Sequence, residues 1–385
     1  MTQTYTDADG QPKTAVAAKI PPMGSVTLTA AEAACAAPSV FKAEGNVLTT
    51  PIYTVTFDEA GYISSLIDRR VNREVKKASG AALGTLWFGE CLCTDYDNWE
   101  VEDDIFRKLF AVTDLVSREV VSDGAVEYRV RATYRLSGNS KATVDTVFYA
   151  GCPRIDYEMK LDWNESHALL KAGFDVNVRA GFVKNEIQFG HVERPTTRNT
   201  SLEAAKFEVC NHRWSDLSES RYGVAILNDC KYGISVEESD MRLTLQKGCY
   251  RPDPISDNGV HYMTYSLLPH VGAFAAENVV YPAYELNYKP VAVNGVLNAA
   301  PLFTISAPNV LCEAVKAAED MDNAFVLRLY ECERNTTNCE VTIPGAKRVT
   351  VTNLLEEDGV EVPVEDGKIA LEFRPFEIKT IVVEK

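Results

Sequence analysis

The residues best suited to chemistry are concentrated in one stretch, residues 190–219, which reads GHVERPTTRNTSLEAAKFEVCNHRWSDLSE. It contains two of the chain's five histidines and one of its four tryptophans, among many acidic and basic side chains. Folded proteins keep such groups apart unless they are paired with one another or exposed for use. The stretch is therefore interpreted either as a long surface loop with mutually paired charges or as a binding loop.

Motifs for nucleophilic or zinc-dependent catalysis do not occur in the sequence. There is no G-x-S-x-G nucleophile elbow and no H-E-x-x-H motif. No two histidines lie within four residues of each other, since they stand at positions 167, 191, 212, 261 and 270. A compact local metal site is therefore not expected, although ligands from separate loops remain an alternative. The sequence therefore offers no local motif for a catalytic residue or a metal site.

Three polar loops, at residues 90–104, 190–219 and 248–261, have a composition typical of sugar binding. Each mixes aromatic rings with carboxylates, and the last two add arginine and histidine. Aromatic rings suit the C–H faces of sugars, and charged side chains suit their hydroxyl groups. Trp99 could serve this role or close a small hydrophobic core, whereas Trp214 is predicted to be a core residue. A glycosidase carboxylate pair is defined by its spacing in space, which a sequence does not show.

The elements that must position these loops are predicted to be β-strands. Apolar and polar residues alternate, with no βαβ pattern and no glycine-rich phosphate loop. The fold class is therefore predicted to be all-β, with packed antiparallel sheets. Residues 313–321 are the best candidate for a short helix in place of a strand, and 29–37 form either a helical turn or a linker. Strands are predicted at 14–20, 25–29, 47–57, 62–67, 82–88, 110–120, 125–136, 142–149, 154–163 and 169–178, and from 222 onward.

The composition indicates an ordinary globular protein of two or three domains. Its 385 residues include 39 basic and 55 acidic side chains, for a net charge of −16. This balance disfavours nucleic acids and anionic membranes as partners, and no apolar run approaches the roughly 20 residues of a membrane span. The ten cysteines are scattered, and the N-terminus lacks the apolar core of a secretory signal. We expect reduced thiols and a cytoplasmic location.

Several long motifs carry a family resemblance, among them EIQFGHVERPTTRNTS, FEVCNHRWSDLSE, YGVAILNDCKYG, DYDNWEVEDD and VTFDEAGYISSLIDRRVNREV. They resemble the C-terminal half of glycoside hydrolase family 38 α-mannosidases, especially the bacterial and cytosolic or vacuolar branch. The resemblance implies a large antiparallel β-supersandwich, similar to galactose mutarotase, followed by a smaller C-terminal β-sandwich. It implies three parts: the end of a small β domain with a linker at 1–37, the supersandwich at 38–275, and the C-terminal sandwich at 276–385.

The resemblance also implies where catalysis takes place. In this family the catalytic carboxylates and the metal-binding residues belong to an N-terminal α/β barrel, and this chain resembles only the part that follows it. The chain is therefore expected to be inactive alone and to hold no cofactor. Its expected partners are that N-terminal catalytic domain, carrying a divalent zinc, cobalt or calcium ion, and an α-mannoside oligosaccharide. A homo-oligomer remains an alternative to a monomer.

Matching motifs imply which loop residues help to line the substrate pocket. The substrate-binding candidates are Tyr96, Asp97, Trp99, His191, Glu193, Arg194, Arg198, Asn199, Asp229, Lys231, Arg251, Asp253, Asp257 and His261. A structural network of ion pairs and hydrogen bonds is expected from His212, Arg213 and Asp216. The sequence departs from the family pattern of His, Trp, Ala and Asp at Thr197, Leu202, Asn98 and Glu100, so the motifs do not define substrate choice.

Three hypotheses follow from these patterns. The first is the non-catalytic C-terminal portion of a family 38 α-mannosidase, which completes the substrate pocket of a barrel domain. The second is a free-standing carbohydrate-binding protein that uses the same loops. The third is a mutarotase-like enzyme with His191 or His212 as acid and Glu193 as base.

Overall fold

The computed structural model describes residues 1–29, 37–297 and 300–385, and the strands there pair in antiparallel fashion. The predicted all-β fold class is confirmed. The undecided segment at 29–37 falls mainly outside the described residues. Within the described ranges, no helix has the length and apolar character that a membrane crossing would need.

Two small sheets come first in the chain. Their strands are β1 (Thr2–Thr6), β2 (Pro12–Val16), β3 (Lys42–Glu44), β4 (Val47–Thr49), β5 (Tyr53–Phe57), β6 (Ile63–Asp68) and β7 (Arg73–Glu74). β1 and β2 form a hairpin, and β3 to β7 form a five-stranded sheet in which consecutive strands are neighbours. The predicted strand 47–57 is divided into β4 and β5, and the predicted strand 62–67 corresponds to β6, which pairs with β5 as a hairpin.

Two large sheets follow. Their strands are β8 (Thr85–Glu90), β9 (Leu109–Ala111), β10 (Leu115–Asp123), β11 (Glu127–Arg135), β12 (Lys141–Tyr149), β13 (Ile155–Trp163), β14 (Ala168–Asp175), β15 (Phe182–Ile187), β16 (Gly190–Pro195), β17 (Val209–Cys210), β18 (Trp214–Ser218), β19 (Tyr222–Asn228), β20 (Gly233–Glu237), β21 (Asp240–Gly248) and β22 (Gly259–Val271). One sheet has nine strands in the order β10-β11-β12-β13-β22-β19-β18-β15-β16, and the other has six in the order β17-β20-β21-β14-β8-β9. Two short helices, a 3₁₀ helix at Asp103–Arg107 and an α-helix at Ser201–Ala204, lie in the connections.

The nine-stranded sheet packs face to face on the five- and six-stranded sheets. Successive side chains of a strand point to opposite faces, and in β13 the residues at odd positions from Ile155 to Trp163 are all buried in the shared core. The opposing sheets contribute residues such as Leu66 from β6 and Phe174 from β14. The hairpin of β1 and β2 covers the outer face, where the Tyr5 ring lies 4.1 Å from the guanidinium of Arg129. This arrangement is the predicted supersandwich.

A smaller sandwich completes the chain. It is preceded by a π-helical turn at Ala276–Val280 and an α-helix at Tyr281–Asn287. Its strands are β23 (Thr304–Ile305), β24 (Val310–Ala317), β25 (Ala324–Glu331), β26 (Thr337–Thr342), β27 (Arg348–Thr352), β28 (Val360–Val362), β29 (Lys368–Phe373) and β30 (Ile378–Glu384). The sheets β23-β26-β29 and β24-β25-β30-β27-β28 enclose a separate core that includes Leu327, Val341 and Phe373.

The two sandwiches share a buried junction. Trp214 and Leu268, on the outer face of the nine-stranded sheet, form one apolar cluster with residues of the 276–287 helical segment and with Tyr330 and Cys332. Trp214 is only 1% exposed, which confirms the prediction that it is a core residue. The junction therefore fixes the helical segment between two sheets.

The charged stretch 190–219 is not a long surface loop. β16, a helical turn, β17 and β18 occupy much of it. The loop interpretation was wrong because several polar side chains of these strands, namely His191, Ser215 and Asp216, are buried through contacts with distant parts of the chain, which local alternation does not show. Residues 313–321 were also misassigned as a helix candidate. Most of that segment belongs to β24, where pairing with the buried β25 overrides the helix preference of its alanines.

Several predicted strand boundaries were wrong. The structure has strands at 2–6 and 12–16, whereas 14–20 and 25–29 were predicted. The predicted strand 110–120 is divided between β9 and β10, which belong to different sheets. Alternation continues across the turn that separates them, so the pattern alone does not reveal the division.

Candidate functional site

Three loops meet at one end of the six-stranded sheet. β14 begins at Ala168, whose neighbours across the sheet are Glu90 at the end of β8 and Gly248 at the end of β21. The start of β14 and the ends of β8 and β21 therefore lie at the same edge of the sheet. This register places side by side the loops 91–102, 164–167 and 249–258.

Asp97 joins these loops and is only 2% exposed. Its carboxylate accepts the backbone N–H groups of Tyr250 at 2.9 Å and Arg251 at 2.7 Å, and it lies 3.3 Å from Nδ1 of His167. Burial favours the neutral acid, but the two backbone N–H groups, together with the charges of His167 and Lys247, outweigh it and lower the pKa of Asp97. Asp97 thus lies buried beneath the loops, and its carboxylate connects the first loop to the third through the N–H groups of Tyr250 and Arg251. We call this set of contacts the clamp.

Lys247, near the end of β21, holds the first loop from below. Its ammonium group donates hydrogen bonds to the carbonyl oxygens of Asp97 and Glu100, and it lies 3.8 Å from Sγ of Cys93. The thiol of Cys249 donates to the same carbonyl of Asp97 at 3.4 Å. Hydrogen bonds from Lys247 to two carbonyl oxygens of the loop therefore stabilise its conformation, although the loop contains little regular secondary structure.

Three aromatic side chains stand on the outer surface of these loops. Trp99 is 73% exposed, Tyr96 51% and Tyr250 50%; together we call them the aromatic platform. The rings of Tyr96 and Trp99 are 5.6 Å apart, and the ring of Tyr250 lies 5.4 Å from the imidazole of His167. Trp99 therefore does not close a hydrophobic core, and its role in sugar binding stays a prediction.

The third loop adds polar groups beside the platform. The guanidinium of Arg251 makes no hydrogen bond or ion pair with any residue of the described ranges and is exposed. Asp253 is also exposed, and one of its oxygens accepts the backbone N–H of Ile255 at 3.1 Å. His261 Nε2 lies 2.7 Å from the carbonyl oxygen of Asp257. Six of the predicted substrate-binding residues thus belong to the loops at this end of the sheet, namely Tyr96, Asp97, Trp99, Arg251, Asp253 and Asp257, and a seventh, His261, stands near the start of β22 in the nine-stranded sheet.

His191 lies in the junction between the sandwiches and is 6% exposed. Its ring centroid is 5.8 Å from that of Trp214, 5.1 Å from that of Phe274 and 5.0 Å from that of Phe376. Its Nδ1 lies 3.2 Å from the carbonyl oxygen of Cys332. Burial lowers the pKa of His191 and so favours the neutral ring. This environment is that of a packing residue.

Two of the predicted residues on β16 and just after it are engaged near the surface. Glu193 lies 3.5 Å from both Lys184 and Arg334, so it connects the large sheet to the C-terminal sandwich. The backbone N–H of Asn199 donates to the Glu203 carboxylate at 2.8 Å at the start of the 201–204 helix. Both contacts organise the chain locally, and neither residue contacts the aromatic platform within the described ranges.

Two arginines of the same segment have different surroundings. Arg194 donates from one nitrogen to Oδ1 of Asn185 at 2.8 Å and has no carboxylate partner in the described part of the chain. Desolvation lowers its pKa. Arg198 pairs with Glu237 at 3.1 Å, and its guanidinium lies 5.2 Å from the ring centroid of Phe106. Arg198 therefore reaches the 3₁₀ helix that closes the first loop.

Asp229 and Lys231 shape the turn between β19 and β20. Asp229 accepts the backbone N–H of Thr264 at 3.0 Å. The backbone N–H of Lys231 donates to Asn228 at 2.7 Å, and its ammonium donates to Gln246 at 3.3 Å. Their contacts hold the turn against the neighbouring strands.

The predicted network of His212, Arg213 and Asp216 does not exist as one unit. Arg213 pairs with Glu186 at 2.9 Å, and Asp216 pairs with His270 at 2.9 Å. The backbone N–H of His212 donates to the carbonyl oxygen of Glu186 at 3.1 Å, but its imidazole lies beside the amide of Gln188 at 3.4 Å and joins neither ion pair. The prediction failed because Arg213 and Asp216 have their partners on different strands. The spacing of residues along the sequence does not predict which strands pair. Asp216 is nevertheless buried and Arg213 half-buried, and both are paired, as expected of structural groups.

Three residues of the platform region were not predicted from the sequence, namely His167, Lys247 and Tyr250. No motif surrounds His167, and its partner Asp97 is far away in the chain, so only the sheet register reveals the pair. Tyr250 falls within the recognised loop 248–261 but was not selected. Among the described residues, no group of three or more potential ligands has the arrangement of a metal site.

The fold and the loops define the class of protein. It is an antiparallel supersandwich with exposed aromatic side chains on the loops at one end, joined to a smaller β-sandwich. Comparison with known families gives the particular family. Residues 48–255 match the model "Glycosyl hydrolases family 38 C-terminal domain", and residues 309–381 match "Glycosyl hydrolases family 38 C-terminal beta sandwich domain". The chain belongs to glycosyl hydrolase family 38 and corresponds to its C-terminal domains.

Individual relatives agree with this assignment. The chain is 33% identical over 357 residues to the human protein named alpha-mannosidase 2C1, an alignment that covers 89% of this chain and 34% of the human protein. It is 32% identical over 363 residues to alpha-mannosidase G of Dictyostelium discoideum, covering 90% of this chain and 33% of that protein. The chain thus spans about a third of the length of the relatives that it matches.

Among solved structures, the fold is similar to that of an alpha-mannosidase from Enterococcus faecalis. The TM-score is 0.73, and the match covers 92% of this chain and 43% of that structure. The sequence identity is 14%, so this likeness concerns the fold alone.

Proposed function

We propose that this chain acts as the C-terminal, non-catalytic portion of a family 38 α-mannosidase that hydrolyses α-mannosidic bonds together with a separate catalytic domain. The observation that carries the proposal is the family match over both sandwiches, combined with relatives named alpha-mannosidases that are about three times as long. The divalent zinc, cobalt or calcium ion of the active site would belong to the catalytic domain. The free cysteines of the described residues support a reducing compartment such as the cytoplasm.

The role proposed for this portion is to complete the mannoside pocket from one side. The loops at the end of the six-stranded sheet support this role, because they are shaped by buried charged groups yet present exposed aromatic rings. A loop that served only to connect strands would gain nothing by exposing three large rings to water. Two observations disfavour the mutarotase hypothesis. His191, one of its two candidate acids, is buried in the junction, and Glu193, its candidate base, is paired with Lys184 and Arg334.

A chimera tests this proposal. The C-terminal region of human alpha-mannosidase 2C1 that matches this chain is replaced by this chain, and hydrolysis of p-nitrophenyl α-mannoside is measured with zinc, cobalt or calcium. We expect turnover by the chimera, and none by this chain alone or by the human protein truncated before the matched region. Circular dichroism and gel filtration establish that each protein is folded. Metal-dependent turnover by this chain alone, or a folded but inactive chimera, would contradict the proposal.

A second candidate function is carbohydrate binding by the chain alone. It is favoured by one observation, the exposed aromatic platform, whose rings lie on loops that remain ordered by contacts within this chain.

A further inference from the structure

We propose that residues 197–208 form a strap that opens and closes over the outer face of the six-stranded sheet. The latch of the strap is the ion pair between Lys171 on the sheet and Glu208 in the strap. Opening of the strap also releases Phe106, which lies in the 3₁₀ helix after the first loop, so the latch controls the mobility of that loop. These movements depend on contacts within this chain and do not require the catalytic domain.

The backbone of the strap is anchored at its two ends. Before the strap, the N–H of Thr196 donates to the carbonyl oxygen of Gly181 at 3.1 Å, and the N–H of Glu238 donates to the carbonyl oxygen of Thr196 at 2.7 Å. After the strap, Val209 begins β17, which pairs with β20. Between these points, the backbone hydrogen bonds that the strap makes with described residues all run within it, around the 201–204 helix. The middle of the strap therefore lifts without breaking any strand pairing.

The strap contributes no buried side chain to either core. Every residue from 197 to 208 is exposed or half-buried, and Leu202 is 77% exposed. Segments with few buried apolar contacts open at a much smaller free-energy cost than the global unfolding of the chain. The closed strap is therefore held by a few polar and aromatic side-chain contacts and not by a hydrophobic core.

Lys171 supplies the half of the latch that lies on the sheet. Its side chain is 0% exposed, and the register of β14 places it between Trp87 on β8 and Thr244 on β21. Its ammonium group donates to one carboxylate oxygen of Glu208, and the hydroxyl of Thr244 donates to the other. Gly233 on β20 leaves room for this carboxylate, since a Cβ there would lie 3.0 Å from one of its oxygens. The sheet therefore has a recess that fits the Glu208 carboxylate.

An ion pair in this recess makes closure reversible. Burial lowers the pKa of Lys171, and Glu208 opposes the shift, so the ammonium group needs either this carboxylate or water. The other charged groups that act on Lys171 are Arg242 and Asp240, which pair with each other on β21. Opening returns both charges of the latch to water, whereas two apolar side chains in the same place would oppose opening. The ion pair therefore lowers the cost of opening.

Phe106 couples the strap to the first loop. Its ring centroid lies 6.3 Å from that of Phe207 and 5.2 Å from the guanidinium of Arg198, both in the strap. The ammonium group of Lys171 lies 5.4 Å from the same ring. Opening removes both strap contacts, and the 3₁₀ helix is then held by Ile105, which is fully buried. The end of the first loop therefore gains mobility when the strap opens.

Trypsin tests the strap directly, because Arg198 and Lys206 are cleavage sites within it. Cleavage follows the population of the open form when opening and closing are fast. In Glu208→Gln we expect cleavage at both sites to accelerate about tenfold, since the loss of a charge-assisted hydrogen bond changes an equilibrium by that order. The urea unfolding midpoint should stay nearly unchanged, because the open strap lets water reach Lys171. Mass spectrometry identifies the sites, and circular dichroism follows unfolding.

Two further variants separate the latch from a general loss of packing. Lys171→Met combined with Glu208→Met replaces the ion pair by apolar side chains, and its strap should be cleaved more slowly than that of the parent chain. Glu340→Gln is the matched control, since it breaks an exposed pair with Lys368 and should leave cleavage in the strap unchanged. Cleavage of Glu208→Gln at the parent rate would overturn the latch, and so would cleavage of the double variant as fast as that of Glu208→Gln.

Hydrogen exchange measured by mass spectrometry tests the coupling to the first loop. In Glu208→Gln, the amides of residues 99–108 should exchange several-fold faster than in the parent chain, the double variant or Glu340→Gln. Unchanged exchange at 99–108, together with faster tryptic cleavage of the strap, would overturn the control of the first loop. A fall of the urea midpoint in Glu208→Gln with no local change in exchange would show that Glu208 is a static packing residue, which also contradicts the inference.

Discussion

The guanidinium of Arg213 holds the carboxylate of Glu186 through two nitrogens, with N–O distances of 3.0 and 2.9 Å. Glu186 is 2% exposed, and burial raises its pKa although Arg213 opposes the shift. The same guanidinium lies 3.6 Å from Glu313 in the C-terminal sandwich and 4.0 Å from the ring centroid of Tyr284 in the adjoining helix. One ion pair therefore connects the large sheet, the helix and the small sandwich.

Arg213→Ala should lower the free energy of unfolding by about 3–5 kcal/mol, because it leaves a buried carboxylate without its charged partner and with only the backbone N–H of residue 213. Urea unfolding followed by circular dichroism measures the change. The raised pKa of Glu186 rises further in this variant, so the neutral acid is favoured in the folded state. The lost stability should therefore return in part as the pH falls toward the ordinary glutamate pKa of 4.5.

The matched control for that substitution is Arg348→Ala. Arg348 also pairs with two carboxylates, Glu361 and Glu384, but at an exposed edge of the small sandwich. Exposed ion pairs contribute little because water screens them. If both variants unfold at the same urea concentration, the Glu186–Arg213 pair does not stabilise the junction.

Trp214 and Trp99 should respond in opposite ways to the same substitution. Trp214→Ala opens a cavity in the junction, since the side chain is 1% exposed, and should cost about 3–5 kcal/mol of unfolding free energy. Trp99→Ala removes a side chain that is 73% exposed and should leave the unfolding midpoint nearly unchanged. Urea titrations of the two variants make the comparison. Equal destabilisation would mean that Trp99 packs against a surface that the structure does not show.

The strands were predictable where one face meets the core and the other meets water. β13 alternates in this way from Tyr157 to Trp163, and the boundaries predicted for it differ from the structure by one residue. β15 and β16 were not predicted, because their outer face meets the C-terminal sandwich and carries polar groups that are buried there, such as His191. Alternation of apolar and polar residues predicts a strand whose buried face is apolar. It does not predict a strand whose buried face carries polar side chains that are hydrogen-bonded there.

The candidate site was predictable only in part, for a related reason. The aromatic and acidic residues of loop 90–104 identified it as unusual, and Trp99 is exposed there. The coupling that shapes it joins Asp97 to Tyr250 and Arg251, which are more than 150 positions later in the chain. Only the register of β8, β14 and β21 brings these loops together. Contacts of that separation leave no trace in local spacing.

Asp97→Asn should loosen the clamp between the loops. The backbone N–H groups of Tyr250 and Arg251 now bond to an ionised carboxylate, and an amide offers them one neutral oxygen and an opposing donor. Charge-assisted bonds of this kind contribute about 1.5–3 kcal/mol, so hydrogen exchange at these two amides should accelerate on the order of tenfold or more. Exchange measured by NMR or mass spectrometry reports it directly.

The same clamp predicts a pH dependence with a definite sign. The pKa of Asp97 is lowered in the folded chain, so its contribution is complete above the ordinary value of 3.8 and is lost as the pH falls through the lowered value. The parent chain should lose protection at Tyr250 and Arg251 in that acid range, and Asp97→Asn should show no such loss. Asp253→Asn is the control, since its carboxylate bonds only to the N–H of Ile255 among the described residues. Protection that is insensitive to Asp97→Asn would show that the loops are held by other contacts.

The thiols should divide into reactive and protected groups. Burial raises the pKa of Cys91 to about 12 and that of Cys249 to about 11, so at pH 8 roughly 10⁻⁴ and 10⁻³ of each is thiolate. Cys210 and Cys230 are both exposed, but desolvation of the sulfur raises the pKa of Cys230 to about 12. In native chain treated with iodoacetamide at pH 8, we expect Cys210 to be alkylated first, Cys230 much more slowly, and Cys91 and Cys249 least.

Peptide mapping by mass spectrometry at successive times measures these rates. Treatment in concentrated urea is the internal control, because the unfolded chain exposes every sulfur and should equalise the four rates. Cys230 is the decisive residue. From its exposure alone it should be alkylated as fast as Cys210, whereas its raised pKa predicts a rate as slow as that of the buried thiols. Alkylation of Cys230 as fast as Cys210 in the native chain would show that its sulfur is hydrated. Early alkylation of Cys91 would show that the first loop opens away from Lys247.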